Sequence, residues 1–162
     1  MIKVKRIDHV AIAVADRDAA ARSLGTMFGL AAGARERVAS QATDVAFLSP
    51  ATDGPDGASS LEICAPAGAG GNAGLVRFLA ARGPGLHHVC FEVEDLPAAL
   101  ASLKAAGVRL IDEAPRPGAR GHEVAFLHPA ATGGVLFELC AAAPAADAPR
   151  AAAGGTPSGS TA

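Results

Sequence analysis

Apolar and polar residues alternate over positions 7–15, the period of two of a half-buried strand. Asp16 follows as a helix N-cap, residues 17–28 are Ala-rich enough to form a helix, and Gly29 is placed to end it. Strands are then predicted over 35–38, over 44–48 (ended by Ser49-Pro50), and over 60–64 beyond a Gly/Asp/Pro loop at 52–58. A Gly/Ala-rich connector covers 66–74, and 75–81 reads as a short helix. The plan then returns: a strand over 86–93, Asp95 as cap, a helix over 97–106 with Pro97 in its first turn, Gly107 as stop, and strands over 108–111, 123–127 and 135–140.

The order of elements is βαβββ, twice, and the residues themselves repeat. His9 returns as His88, and Val45-Ala46-Phe47-Leu48-Ser49-Pro50 returns as Val124-Ala125-Phe126-Leu127-His128-Pro129, both at an offset of 79; Leu61-Glu62-Ile63-Cys64 returns as Phe137-Glu138-Leu139-Cys140 at an offset of 76. Three landmarks in one order at nearly one spacing define a repeated module of roughly 75 residues. The modules are expected over about 5–66 and 84–141 of a domain spanning 1–141. Residues 142–162 are Ala, Pro, Gly, Ser, Thr and a few charges; they lack the large apolar side chains that offset ordering, so a disordered tail is expected.

Alternation also sorts side chains by face. His9 goes with Ala11 and Ala13, His88 with Cys90, Glu62 with Cys64, and Glu138 with Cys140, while Val10, Ile12, Phe91, Ile63 and Leu139 take the other side. The bulky face suits helix packing. The face with small neighbours leaves room for a site, and its two imidazoles and two carboxylates are an N/O donor set for a divalent ion such as Co, Mn, Fe, Ni or Zn. His87, one residue out of step, is expected to be structural and turned away.

The totals exclude several other classes. The formal net charge is −2, which gives no footprint for nucleic acid or an anionic membrane. No apolar run reaches a membrane-span length and the N-terminus leads directly into a strand pattern, so a cytoplasmic protein is expected. Three cysteines, none in a CxxC, argue for buried reduced thiols rather than a disulfide framework.

The repeated plan with His9, Glu62, His88 and Glu138 resembles the vicinal oxygen chelate superfamily, and within it the methylmalonyl-CoA epimerase family. The matching stretches are Ile7-Asp8-His9-Val10-Ala11-Ile12-Ala13-Val14, Gly85-Leu86-His87-His88-Val89, Phe126-Leu127-His128-Pro129 and Gly133-Gly134-Val135-Leu136-Phe137-Glu138-Leu139. The resemblance implies an α+β fold in which paired βαβββ modules form a curved mixed sheet around a metal site. It implies His9, His88 and Glu138 as metal ligands, with Glu62 as the fourth, held directly or through water. The implied metal is Co, Mn, Ni or Zn, the substrate an acyl-CoA, and the assembly a homodimer.

The implied reaction inverts the alpha carbon of methylmalonyl-CoA through an enolate. Glu138 is the first candidate for proton transfer. Some relatives carry a Glu in the third strand of the first module where this chain has Val45; Asp44 beside it faces away by alternation, so Glu62 is the candidate for the second base. Gly118 and Gly121 are candidates for holding the substrate carboxylate through their backbone. Arg35, Arg77, Arg116 and Arg120 are candidates for the CoA phosphates, with no spacing that singles one out. The alternatives are lactoylglutathione lyase (glyoxalase I), an extradiol dioxygenase, disfavoured because the chain has no Tyr, and a metal-free small-molecule-binding relative.

Overall fold

The structure, a computed structural model, describes residues 2–51 and 58–142; most of the loop expected at 52–58 and all but the first residue of the expected tail lie outside these. Among the described residues eight strands and three α-helices follow in the order β1 (Val4–Ala13), α1 (Arg17–Phe28), β2 (Leu30–Val38), β3 (Thr43–Pro50), β4 (Ser60–Pro66), α2 (Ala73–Arg82), β5 (Gly85–Val93), α3 (Leu96–Ala105), β6 (Arg116–Pro117), β7 (His122–Leu127) and β8 (Leu136–Ala142). All eight strands join one curled mixed sheet in the order β2-β3-β4-β1-β5-β8-β7-β6. The two first strands of the modules, β1 and β5, run antiparallel at its centre, each flanked by its own module's last strand in parallel, β4 or β8.

Local chemistry sets the helix ends. Asp16 accepts from the Ala19 amide at 2.9 Å and Asp95 from the Ala98 amide at 2.9 Å; the two caps stand at equivalent places in the repeat. Gly29 ends α1 with φ 65°, a left-handed turn that glycine adopts without a steric cost. Helix α1 covers Ala46, Leu48, Ile63 and Ala65, and α3 covers Ala125, Leu127, Leu139 and Ala141, the same sheet face in each module. That is the bulky face of the alternation. The opposite face carries α2 at one side, over Val45, Phe47 and Cys64, where Leu75 packs.

Two expectations are corrected. β2 begins at Leu30, not near 35, because Leu30-Ala31-Ala32 pair with β3 before a register shift at Ala32/Arg35; small residues carried no alternation to reveal them. The strand expected over 108–111 does not form. Leu110 makes one isolated bridge to Leu127, and the edge strand is Arg116–Pro117 instead. Asp112 explains the difference: its carboxylate accepts from the Phe126 amide at 2.9 Å, while the Phe126 carbonyl takes the amides of Ile111 and Asp112. These bonds pin the segment as a turn, and Pro115 and Pro117 lack the N–H groups to extend a ladder.

Caps and core differ in weight. Asp95→Ala should cost about 1 kcal/mol and Leu139→Ala, at a site 1% exposed, about 2–5 kcal/mol. Urea denaturation checks both; equal losses would mean that α3 is not held chiefly by its buried face.

Candidate metal centre

The register of the central strands builds the site. His9 stands opposite Cys90, and Ala11 opposite His88. On the flanks Ala11 lies beside Glu62 and Cys90 beside Glu138. Two adjacent cross-strand rows result, Glu62–Ala11–His88 and His9–Cys90–Glu138. The middle residue of each row is small and fully buried, so the larger side chains lean together over it. His9 Nε2 lies 3.3 Å from His88 Nε2, 3.4 Å from Glu62 Oε2 and 3.4 Å from Glu138 Oε2. His88 Nε2 lies 3.4 Å from Glu62 Oε2 and 2.8 Å from Glu138 Oε2. All four side chains named from the sequence are buried and brought together.

Two residues absent from the sequence-derived ligand set position the rings. Asp8 and His87 directly precede the two ring donors, again at an offset of 79. Each falls at a shift in the β1/β5 register, between Ile7 and His9 in one strand and opposite the Ala11/Ile12 step in the other. A bulge of this kind re-aims a side chain. His9 Nδ1 donates to Asp8 Oδ2 at 2.8 Å, and His88 Nδ1 meets His87 Nδ1 at 2.9 Å. His87 is therefore not turned away, contrary to strict alternation. Burial first, then the charge of His88, pushes its pKa down to about 4, which suits a neutral ring accepting from His88. With both Nδ1 atoms occupied, both Nε2 atoms face the centre. The sequence signal was the acid next to His9 and the repeat that maps it onto His87.

Aromatic rings wall the cup. Phe47 pairs with Glu62 across β3/β4 and Phe126 with Glu138 across β7/β8; their rings meet His9 and His88 edge-on at 5.6 and 5.3 Å. The cup opens into a cavity of about 740 Å³, within the range of small-molecule sites. Arg77, Arg116 and Arg120 line it, whereas Arg35 does not and pairs with Asp18 at 3.7 Å. Val45 is buried in the core and Asp44 is tied outward to Arg37 at 2.8 Å, so Glu62 and Glu138 are the carboxylates in the cup, with Asp8 behind His9. Gly118 donates its amide to His122 at 2.8 Å, and a Cβ there would strike Val124 at 2.5 Å. Gly121 has φ 68°. These two glycines shape the loop, and Ala119 and Arg120 between them line the cavity. Beneath the cup, contacts with Cys90 first and His122 next draw the Cys140 thiol below its ordinary value against the opposing effect of burial.

The donor set fits a divalent ion. Nitrogen and oxygen donors about 2.1 Å from a common centre stand about 3.0–3.4 Å apart, close to the separations observed. The charges agree as well. In the metal-free chain burial opposes a charged His9, yet hydrogen bonds with Asp8, Glu138 and Glu62 outweigh it and push the pKa up to about 11. Burial likewise opposes a charged Glu138, but hydrogen bonds with His88 and His9 hold its pKa below the ordinary carboxylate range. A proton on His9 thus stands where a cation is called for.

The linkage has a definite sign. The raised His9 pKa stabilises the metal-free fold fully below its ordinary value of 6.5, and that contribution drains as pH climbs toward about 11. The depressed Glu138 pKa contributes above its ordinary 4.5 and is lost as pH falls below that value. An entering ion must expel the His9 proton. Affinity for Zn or Mn should therefore rise about tenfold per pH unit between about pH 6.5 and 8, with about one proton released in titration calorimetry. Affinity independent of pH would contradict this charge arrangement.

Known proteins resemble the chain along most of its length. A family model of the Glyoxalase/Bleomycin resistance protein/Dioxygenase superfamily matches residues 8–126. The ethylmalonyl-CoA/methylmalonyl-CoA epimerase of Cereibacter sphaeroides is 38% identical over 140 residues, covering 84% of this chain and 97% of that protein. A variant of the Streptomyces coelicolor methylmalonyl-CoA epimerase, solved with 2-nitronate-propionyl-CoA, superposes with a TM-score of 0.79 at 33% identity, covering 87% of this chain and 96% of that one. A methylmalonyl-CoA epimerase solved with methylmalonyl-CoA and ammonium gives the same TM-score, identity and coverage. The chain belongs to the glyoxalase/bleomycin resistance protein/dioxygenase superfamily and, within it, to the methylmalonyl-CoA epimerase family.

Proposed function

We propose that the chain is a metal-dependent epimerase that inverts the alpha carbon of methylmalonyl-CoA through an enolate. The observation that carries this reading is the pair of buried carboxylates, Glu62 from β4 and Glu138 from β8, on either flank of the His9–His88 pair. Inversion requires a proton to leave one face of a carbon and return to the other. A repeat folded about the β1/β5 seam supplies one carboxylate from each side. The relatives' substrates support the substrate class, and the nitronate ligand of the Streptomyces enzyme has the planar, negatively charged alpha centre of an enolate.

His9, His88, Glu62 and Glu138 would hold the ion, of the Co, Mn, Ni or Zn class. When bound it supplies Lewis acidity to oxygens beside the acidic carbon. Glu138 exchanges the proton on one face and Glu62 on the other, each within the dry cup between Phe47 and Phe126, where proton transfer by a positioned carboxylate gains most. Asp8 and His87 keep the imidazoles from rotating. The cavity takes the acyl group and thioester, with Arg77 at its wall available to the CoA phosphates. The reading includes a homodimer, expected from the family resemblance and checked by sedimentation.

Hydrogen exchange in deuterated water tests the roles. Glu138→Gln and Glu62→Gln should each retain bound metal yet slow inversion about 10²–10⁴-fold, and each should leave exchange without inversion on the face served by the remaining carboxylate. Full inversion by Glu138→Gln would remove Glu138 from the mechanism, and full inversion by Glu62→Gln would do the same for Glu62.

A further inference from the structure

We propose that Arg120 binds the free carboxylate of the substrate and so selects acyl-CoA thioesters that carry a carboxylate on the alpha carbon. The proposal rests on the epimerase reading and adds a specificity residue to it. Arg120 adopts φ 56°, ψ 27°, a left-handed conformation that residues with a Cβ rarely take, and such outliers persist where surrounding contacts enforce them. Two contacts enforce it here. The Arg120 amide donates to Glu36 of β2, and the Ser40 hydroxyl donates to the Pro117 carbonyl at 2.6 Å. The loop of module two is thereby fastened to module one, across the mouth of the cup.

The guanidinium is held rather than loose. It lies 4.1 Å above the Phe47 ring centroid, and its Nη2 donates to Asp8 Oδ2, the same oxygen that accepts from His9 Nδ1. Arg120 thus stands beside His9, against the ring that walls the cup, with its side chain 30% exposed on the cavity. Arg120 gives its Nη2 to Asp8, and its guanidinium carries further N–H donors toward the cavity that it lines. Arg116, on the Phe126 side, is instead matched by Asp112 at 3.1 Å. A carboxylate that gives one oxygen to the cup has its second oxygen inside an aromatic wall, where an unpaired anion is costly. The planar fork of Arg120 supplies the missing donors. A simple acyl thioester has no such oxygen and gains nothing from the arginine.

Calorimetric binding of malonyl-CoA and propionyl-CoA to the metal-loaded protein tests this, because the two differ only in that carboxylate, where propionyl-CoA carries a methyl group of similar size. The native chain should prefer malonyl-CoA. Arg120→Gln should weaken malonyl-CoA by about tenfold to a hundredfold and leave propionyl-CoA within about threefold. Arg120→Gly suits the left-handed backbone and should give the same selective loss if Arg120→Gln folds poorly; Asp8 keeps Arg6 and His9 in both. Unchanged malonyl-CoA binding, or parallel loss of both ligands, would overturn the proposal. Equal binding of both ligands by the native chain would overturn it while leaving the acyl-CoA reading intact, and binding of neither would instead sink that reading.

Discussion

Buried negative charge is the constraint around which this molecule is arranged. Asp8, Glu62 and Glu138 all sit within a few ångströms of His9 and are shielded from water. Arg6 and Arg120 answer Asp8, but Glu62 and Glu138 face two imidazoles. Carboxylates removed from water demand a partner of opposite sign, and here it must be a proton on His9 or an ion at the common centre. Much of the local structure serves this demand. Ala11 and Cys90 make the room, two register shifts aim the rings, and two phenylalanines keep water away.

The repeat makes such a centre possible without an elaborate loop. Each module brings one imidazole on its first strand, one carboxylate on its last, one phenylalanine between them and one residue behind the ring. Placing β1 against β5 lets the halves meet face to face, so the donors converge from four rigid strands. Sites built on strands are held more precisely than sites on loops. The halves are not chemically equal: an acid supports His9 and a neutral imidazole supports His88. A symmetric frame with unequal supports suits a reaction whose two faces are alike but whose substrate is not.

Much of this was legible in the residues. Period-two alternation places His9, Glu62, His88 and Glu138 on one face whichever way the strands pair, and Asp16 and Asp95 announce their helices by a purely local bond. What stayed hidden depends on two chains of residues at once. The bulges at Asp8 and His87 arise from how β1 and β5 slip past one another, which neither strand encodes alone. The turn at Asp112 needs Phe126 as its partner. Arg120 looks like any exposed arginine until its backbone turns left-handed and lays it on Phe47.

The most direct measurement is circular dichroism of one epimer of methylmalonyl-CoA as it is inverted by chelator-treated protein, before and after stepwise return of Co or Mn. The metal-free chain should give no inversion, and recovery should saturate at one ion per chain. Undiminished inversion by the metal-free chain would contradict the proposed metal dependence, as would recovery that still occurs after His9→Ala and His88→Ala are combined.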